Sequence, residues 1–443
     1  MPTNISIEST TTDEPISNNR KQDTLWMLGL YGTAIGAGTL FLPIDAGLNG
    51  ILPLIIMALL AFPMTYFSHR ALCRFVLSGS STKKNDFTDV VVEHFGHKAG
   101  NILTFLYFFS VYPILLMYSV AITNTTHSFI ANQLGIAPPP RALIAFLLIT
   151  GLMGIVRFGQ EMILKTINLL VYPFITILIL LSIYLIPHWN TAFLHQSSVH
   201  ANTHGLLVSL WLLIPVLVFS FSHTPIISSL AVNHKMRFGS NADEKCSWIL
   251  RNSHLMMVGT VMFFVFSCVF SLSPDDLAIA KQQNISILSY LANHFHTPII
   301  MYVSPFIAFI AISKSFLGHY IGASEGLHGL LSKPLNKASS NVSTSLPNAH
   351  ELPKDAAARN QKLKHVIEIF MVLTCWIVAT INPSILGMIE SLGGPAIAII
   401  LFLLPMYAIA TIPALEKYRN RSSNMFISII GLIAISAILY GFC

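Results

Sequence analysis

Charge is scarce in this sequence. Asp, Glu, Lys and Arg make up 10% of its 443 residues, while 53% are hydrophobic. A soluble domain carries roughly 25% charged residues and keeps them on its surface because burial is costly. So little charge excludes the two or three soluble domains that the length alone would suggest. Cysteine is scarcer still. Cys73, Cys246, Cys268, Cys375 and Cys443 form no CxxC pair and are scattered, three of them within apolar runs, which excludes a secreted disulfide scaffold. The net charge of +6 comes from basic residues spread along the whole chain, so no dense patch points to nucleic acid. A signal-peptide h-region is missing as well. Residues 1–24 are polar and include Glu8, Asp13, Glu14 and Asp23, the composition of a cytoplasmic tail.

What is present is apolar sequence in long runs. A bilayer core about 30 Å thick needs roughly 20 apolar residues in a helix. Eleven such runs are legible, at about 25–46, 51–68, 101–131, 141–157, 167–187, 206–231, 254–272, 298–321, 365–381, 384–410 and 423–442. The chain reads as an all-α polytopic membrane protein. Cytoplasmic loops hold the excess of Lys and Arg. With the N-terminus inside, 22 of the 25 basic residues fall on inside segments, Arg141 and Lys281 fall outside, and Lys314 lies within a span. An odd number of spans then puts the C-terminus outside.

Spans 1–5 start inside and spans 6–10 start outside, the pattern of a 5+5 inverted repeat, with one helix over. Many secondary transporters are built this way, with a substrate site near the membrane midplane. The division expected is a tail at 1–24, a first repeat at 25–187, a second at 188–411 containing a solvated cytoplasmic loop at 331–364, and an eleventh helix at 412–443. The loop is assigned on its Ser, Asn, Lys and Pro content.

Spans 1 and 6, the first of each repeat, share a second peculiarity. Span 1 crowds Gly32, Gly36 and Gly38 near its middle, with Thr33, Ala37 and Thr39 between and beside them. Span 6 carries Phe219-Ser-Phe-Ser-His-Thr-Pro225. Glycine costs a helix about 1 kcal/mol per residue and proline about 3. Unwound backbone at membrane depth is tolerated only where it lines a cavity or is covered by protein. Either span alone fits close helix packing through small residues. Their coincidence in equivalent positions points to a binding site.

The chemistry there suits an α-amino acid. A helix starting after Gly36 presents the amides of Ala37, Gly38 and Thr39, and helix N-termini attract carboxylates. The half-helix ending near Phe221 frees carbonyls for an ammonium group, and Ser220, Ser222 and Thr224 can meet a small polar side chain. His223 reads equally as a proton relay or as a hydrogen-bonded histidine that never titrates. Lys314, in Ala311-Ile-Ser-Lys-Ser-Phe-Leu-Gly-His-Tyr320, is a charge near the centre of span 8, costing about 2.5–3.5 kcal/mol on insertion scales. Its flanks are Ser313 and Ser315, with His319 a turn further on. It can take up and release a proton as the site faces each side in turn, or hold free carbonyls of a broken helix, and the two roles are compatible.

Weaker candidates are Glu390 and Glu368 as gate or interfacial groups, Asp45 as a cap or water-facing group, and Glu325 as an inward proton acceptor. His195, His200 and His204 are too loosely spaced for a metal site, and the NxS/T match at Asn124 reads as chance. Neither metal nor cofactor is expected. The expected partners are a small amino acid, a proton and the lipid bilayer, without nucleic acid or an obligate protein partner. An intramembrane enzyme would need a nucleophile–base pair or a metal set at membrane depth, and a channel would need a filter motif. The sequence displays neither.

Leu25-Trp-Met-Leu-Gly-Leu-Tyr-Gly-Thr-Ala-Ile-Gly-Ala-Gly-Thr-Leu-Phe-Leu-Pro43 resembles the bacterial hydroxy and aromatic amino acid permease family, most of all its serine and serine/threonine symporters. So do Val92-Glu-His-Phe-Gly96, Pro138-Pro-Pro-Arg-Ala142, Phe219 to Ser229, Asn284 to His294, Lys314 to Tyr320 and Asn382 to Glu390. The resemblance covers the chain outside the tail and the 331–364 loop. It implies a proton symporter of the bacterial inner membrane with eleven helices and a leucine-transporter-like fold. It also implies substrate contacts at Gly36, Gly38 and Phe219–Pro225. Sodium-driven relatives of that fold hold a cation between the first and eighth helices, where Lys314 would stand in for it. The chain departs from the family at Ser222, where members carry Asn, and at Thr224, often Ser. Threonine, a broader hydroxy or aromatic substrate range, and sodium coupling remain the alternatives.

Overall fold

The computed structural model describes residues 16–80, 86–156, 160–194, 203–295, 297–343, 352–389 and 394–440. Among them every regular element is helical. In order they are α1 (Ile16–Ala34), α2 (Ala37–Leu48), α3 (Ile51–Leu77), α4 (Phe87–Ser128), α5 (Arg141–Val156) and α6 (Gln160–Leu185). Then follow α7 (Thr203–Ser220), α8 (Thr224–Phe238), α9 (Ala242–Ser271), α10 (Pro274–Gln282), α11 (Ile287–His294) and α12 (Pro298–Ser343). The chain continues through α13 (Leu352–Ile381), α14 (Ile385–Met388), α15 (Gly394–Ala398), α16 (Leu404–Thr411) and α17 (Ser422–Tyr440).

Six helical runs among the described residues are long and apolar enough to cross a bilayer. The α1–α2 pair, bent by 54° at its break, makes a seventh. Four shorter apolar helices lie at Arg141–Val156, Gly205–Ser220, Ala396–Thr411 and Ser422–Ala437. Two of these are shortened by interruptions: α7 stops at a break, and α16 follows a π-helical turn at Ile399–Leu403. Large apolar side chains such as Leu59, Leu169, Ile381 and Met425 stand 69–74% exposed around the outside. A water-soluble protein rarely exposes so much apolar surface, whereas lipid tails solvate it.

The long helix α12 packs along α4 and α6, and α3 packs along α9. Inside this frame α1 contacts α6, α9 and α12, while α2 contacts α7 and α10. α4 is two helices joined at Gly96, whose φ of +74° is left-handed backbone; only glycine takes it without steric cost.

Helix extends further than composition suggests. Where the segment 331–364 is described it is helical, since α12 runs on to Ser343 and α13 starts at Leu352. Composition misleads there, since Leu352-Pro-Lys-Asp-Ala-Ala-Ala-Arg-Asn-Gln-Lys-Leu-Lys364 is polar yet rich in good helix formers. The tail is likewise helical from Ile16. Between spans 7 and 8 the chain forms α10 and α11, which a search for long apolar runs overlooks. Ser273 and Asp276 close a reciprocal capping box on α10, with Pro274 in its first turn, a start signature in its own right.

Candidate functional site

Both central interruptions fall where the glycine and serine clusters lie. α1 ends at Ala34 and α2 begins at Ala37, with Ile35 and Gly36 between them. The end of a helix leaves carbonyls without intrahelical donors, and α12 supplies them here. Lys314 Nζ donates to the Ile35 carbonyl at 2.9 Å and the Gly32 carbonyl at 3.4 Å. Ser315 Oγ reaches the same two oxygens at 2.8 and 3.1 Å. The ammonium also sits 4.0 Å from the centre of the Phe174 ring and 5.7 Å from that of Tyr31, cation–π contacts that strengthen away from water. Lys314 and Ser315 are fully buried. No carboxylate among the described residues lies within ion-pair distance of Lys314. Carbonyl dipoles and aromatic faces therefore solvate the charge.

The glycines are required by close approach. A Cβ on Gly36 would lie 2.5 Å from the Ser315 side chain and 2.6 Å from the Tyr118 ring, and one on Gly38 would lie 2.6 Å from the Phe219 ring. Gly36 and Gly38 therefore let the start of α2 lie against α12, α4 and α7. Leu40 N already bonds the Gly36 carbonyl at 3.1 Å, which leaves the amides of Ala37, Gly38 and Thr39 as the unsatisfied first turn.

The second break covers Phe221, Ser222 and His223, between α7 and α8. It is tied to the first. Thr39 Oγ1 donates to the Ser220 carbonyl at 3.0 Å, and Ser220 Oγ bonds the Gly38 carbonyl at 3.0 Å and the Val216 carbonyl at 2.8 Å. The carbonyls expected to receive an ammonium each accept one bond already: Phe219 from Ser222 N at 3.2 Å, Ser220 from Thr39, and Phe221 from His223 Nδ1 at 3.3 Å. A carbonyl has two lone pairs, so each retains one. Ser222 and Thr224 pair their hydroxyls at 3.0 Å.

Gly36, Gly38, Thr39, Phe219 and Ser220 thus meet, with Lys314 and Ser315 behind Gly36. Ala37 opens α2 beside them. Thr33 stands apart: its hydroxyl bonds the Gly29 carbonyl at 2.9 Å within α1, and it packs where a Cβ on Gly318 would fall. Ser313 is buried, and its hydroxyl has no partner. His319 Nδ1 donates to the Ser315 carbonyl at 2.9 Å and presents its ring edge-on to Tyr118. His223 turns away from the α2 amides, stacking on His69 with ring centres 3.9 Å apart and lying 4.6 Å from His254.

Asp45 does not face water. It is 8% exposed and pairs with Lys281 at 3.7 Å, anchoring α10 over α2. Asn124 is buried and donates to the Asn284 carbonyl at 2.8 Å. Asn284 in turn bonds Asn382, the Pro383 carbonyl and Ile385 N, so motifs far apart in sequence close one polar latch. The latch borders a cavity of about 710 Å³ with Arg141 and His294 on its wall. Glu368 lies near the surface beside His365. One Glu325 carboxylate oxygen is buried without a partner. Glu390, His195 and His200 lie outside the described residues, and His204 is in the first turn of α7. His69, His254, Phe174 and Tyr118 escape a reading of the sequence, because each belongs to an apolar span with no local pattern and matters only through long-range packing.

A profile of the tryptophan/tyrosine permease family matches residues 26–440. The serine transporter SdaC of Escherichia coli strain K12 is 59% identical over 424 residues, 95% of either chain. The threonine/serine transporter TdcC of Edwardsiella tarda is 43% identical over 443 residues, 96% of either chain. Among solved structures, MhsT in complex with L-phenylalanine superposes with a TM-score of 0.57 over 94% of this chain and 97% of that one. Sequence identity there is 16%, so the likeness is one of fold, in line with the leucine-transporter-like fold that the family resemblance implies. With its apolar helices, the chain is a multi-pass membrane protein.

Proposed function

The chain belongs to the tryptophan/tyrosine permease family, a family of transporters rather than enzymes, and from that premise we propose that it imports L-serine together with protons by alternating access. The 59% identity to the serine transporter SdaC supports the substrate. The arrangement carrying the site is the junction of two broken helices through Thr39 and Ser220. In this reading the amides of Ala37, Gly38 and Thr39 receive the substrate carboxylate. The carbonyls of Phe219 to Ser222 receive its ammonium. Ser222 and Thr224 recognise the hydroxyl, and His223 orients the turn.

Lys314 is the proposed proton-coupled cation, with Ser313, Ser315 and His319 as its immediate polar surroundings. In its charged form it bonds the last carbonyls of α1. Loss of the proton turns a charge-assisted bond into a weaker neutral one, which frees α1 to tilt against α12. An ammonium already held on these carbonyls occupies the ground a sodium ion would need, which favours protons over sodium. The proposed architecture is eleven spans, as a 5+5 inverted repeat over 25–187 and 188–411 plus a helix over 412–443, following the tail at 1–24. The protein sits in the bacterial inner membrane with its N-terminus cytoplasmic and its C-terminus periplasmic. Threonine is the second substrate reading, supported by the 43% identity to TdcC.

Uptake of labelled L-serine into proteoliposomes tests this reading, with unlabelled amino acids as competitors. Serine should compete best and threonine less well. No uptake of labelled serine above that of protein-free liposomes, with labelled tryptophan or tyrosine taken up instead, would contradict it.

A further inference from the structure

Three buried histidines meet where α3, α8 and α9 cross. His69, His223 and His254 are all at 0% exposure. Their ring centres lie 3.9, 4.6 and 5.3 Å apart, and one nitrogen from each falls within 4.8 Å of the others. Their tautomers are dictated by their partners. His69 Nδ1 lies 2.8 Å from the Thr65 carbonyl, His254 Nδ1 2.7 Å from the Leu250 carbonyl, and His223 Nδ1 3.3 Å from the Phe221 carbonyl. A carbonyl only accepts, so every Nδ1 carries hydrogen and every Nε2 of the neutral rings offers a lone pair. One of these lone pairs is used: His223 N donates to His69 Nε2 at 3.2 Å. The other two, on His223 and His254, are buried without a donor. Buried polar groups in native proteins are nearly always paired, so two idle acceptors side by side imply a missing positive ligand.

The ligand is a proton or a metal ion, and ring geometry separates the two. Imidazoles on one tetrahedral zinc ion bind at about 2.0–2.1 Å, which sets their nitrogens about 3.3 Å apart on splayed rings. Here the rings of His69 and His223 lie within 17° of parallel, with their centres 3.9 Å apart. Their lone pairs run side by side instead of converging. No carboxylate or thiolate among the described residues joins the cluster to balance a divalent charge. A single proton on one Nε2 makes a donor of an idle acceptor, and the imidazolium gains from stacking on its neighbour. A second proton would set like charges about 5 Å apart, so the cluster takes one.

We propose that His69, His223 and His254 form a second proton-binding site, distinct from Lys314, which holds one proton in the hinge of the second broken helix and couples it to movement of that hinge. The coupling is direct. His223 is the N-cap residue of α8, and its amide is tied to His69 Nε2, so a proton on the idle Nε2 of His223 sets a positive ring at the start of α8, where the positive end of the helix repels it. Few other titratable groups surround the cluster. Tyr66 of α3 lies edge-on to His254 at 6.0 Å, and His319 of α12 is close enough to act on His223 electrostatically. Arg70 of α3 turns aside to the Tyr66 hydroxyl, Lys314 of α12 is held by α1, and Tyr31 of α1 bonds Thr260. The proposal rests on the transport reading above.

The test uses the full-length protein and its His69→Gln and His254→Gln variants in sodium-free proteoliposomes. Serine counterflow without a gradient and uptake driven by a proton gradient are measured between pH 5.5 and 8.5, with bound zinc measured by mass spectrometry. We expect counterflow within threefold of the parent in both variants, gradient-driven accumulation at least tenfold lower, and a flattened pH profile. Parental pH profiles and accumulation in both variants would overturn the proposal and leave the transport reading intact. A parent that moves no serine would overturn the transport reading instead. One zinc per chain, lost in both variants, would replace the proton by a metal and overturn the proposal. If neither variant folds, calorimetry of serine binding to Lys314→Met, which cannot take up a proton at that position, in two buffers of different ionisation enthalpy decides. Proton uptake of about one-third or more per serine near neutral pH supports the cluster, and uptake near zero overturns it.

Discussion

Lys314 shows how far single residues can be read. An isolated charge in an apolar run is visible in the sequence, and its cost marks it as functional by default. Its partners are not visible, because Gly32, Ile35 and Phe174 lie well over a hundred positions away and meet it only through packing of α1 and α6 on α12. Lys314→Met keeps the side-chain volume and removes the charge. It leaves the Ile35 and Gly32 carbonyls to Ser315 alone. We expect gradient-driven serine accumulation at least tenfold below the parent, checked in proteoliposomes against an internal-volume marker. Gly36 and Gly38 were legible for a related reason. Glycine is costly in a helix, so two in one turn require an explanation, and the clash a Cβ would cause against Ser315, Tyr118 and Phe219 supplies it. His69 and His254 carried no such anomaly, since one histidine in a long apolar helix reads as an ordinary buried side chain.

At the scale of elements, the two broken helices follow from composition, while the short helices over the α2 end do not. α10 depends on its cap. Burial pushes the Asp276 carboxyl up, but the Ser273 and Tyr290 hydroxyls and the Ser273 amide outweigh it and hold the group below the usual carboxylate range. Tyr290 bonds it at 2.7 Å, and His294 approaches at 3.4 Å. A folded-state value below the unfolded one means that the stabilisation is present above the unfolded value of about 3.9 and is lost as pH falls through the folded value. Asp276→Asn should therefore cost about 1 kcal/mol at pH 7, roughly the net worth of one hydrogen bond, and the gap between variant and parent should close in strong acid. Hydrogen exchange over 274–294 at pH 7 and in strong acid measures this, read as protection corrected for the intrinsic exchange rate. The helical stretch through 331–343 and 352–364 is polar in composition yet rich in helix formers, so its helicity is legible from propensity and not from polarity.

For the molecule as a whole, the distribution of charge carried most of the information. The membrane class, the breaks near Gly36 and Ser222 and the amino acid class of substrate all followed from where polar groups and glycines interrupt apolar sequence. What stayed hidden was the way the halves lock together. The Thr39–Ser220 bonds, the asparagine latch of Asn124, Asn284 and Asn382, and the histidine cluster are each built from side chains on elements remote in sequence. No periodicity encodes such meetings. The central claim is that serine moves with a positive charge and without sodium. Electrical recording from proteoliposomes on a solid-supported membrane in sodium-free buffer tests it most directly. L-serine should evoke an inward positive current that grows as the external pH is lowered. A current that appears only with sodium, or serine uptake with no current at all, would contradict the account.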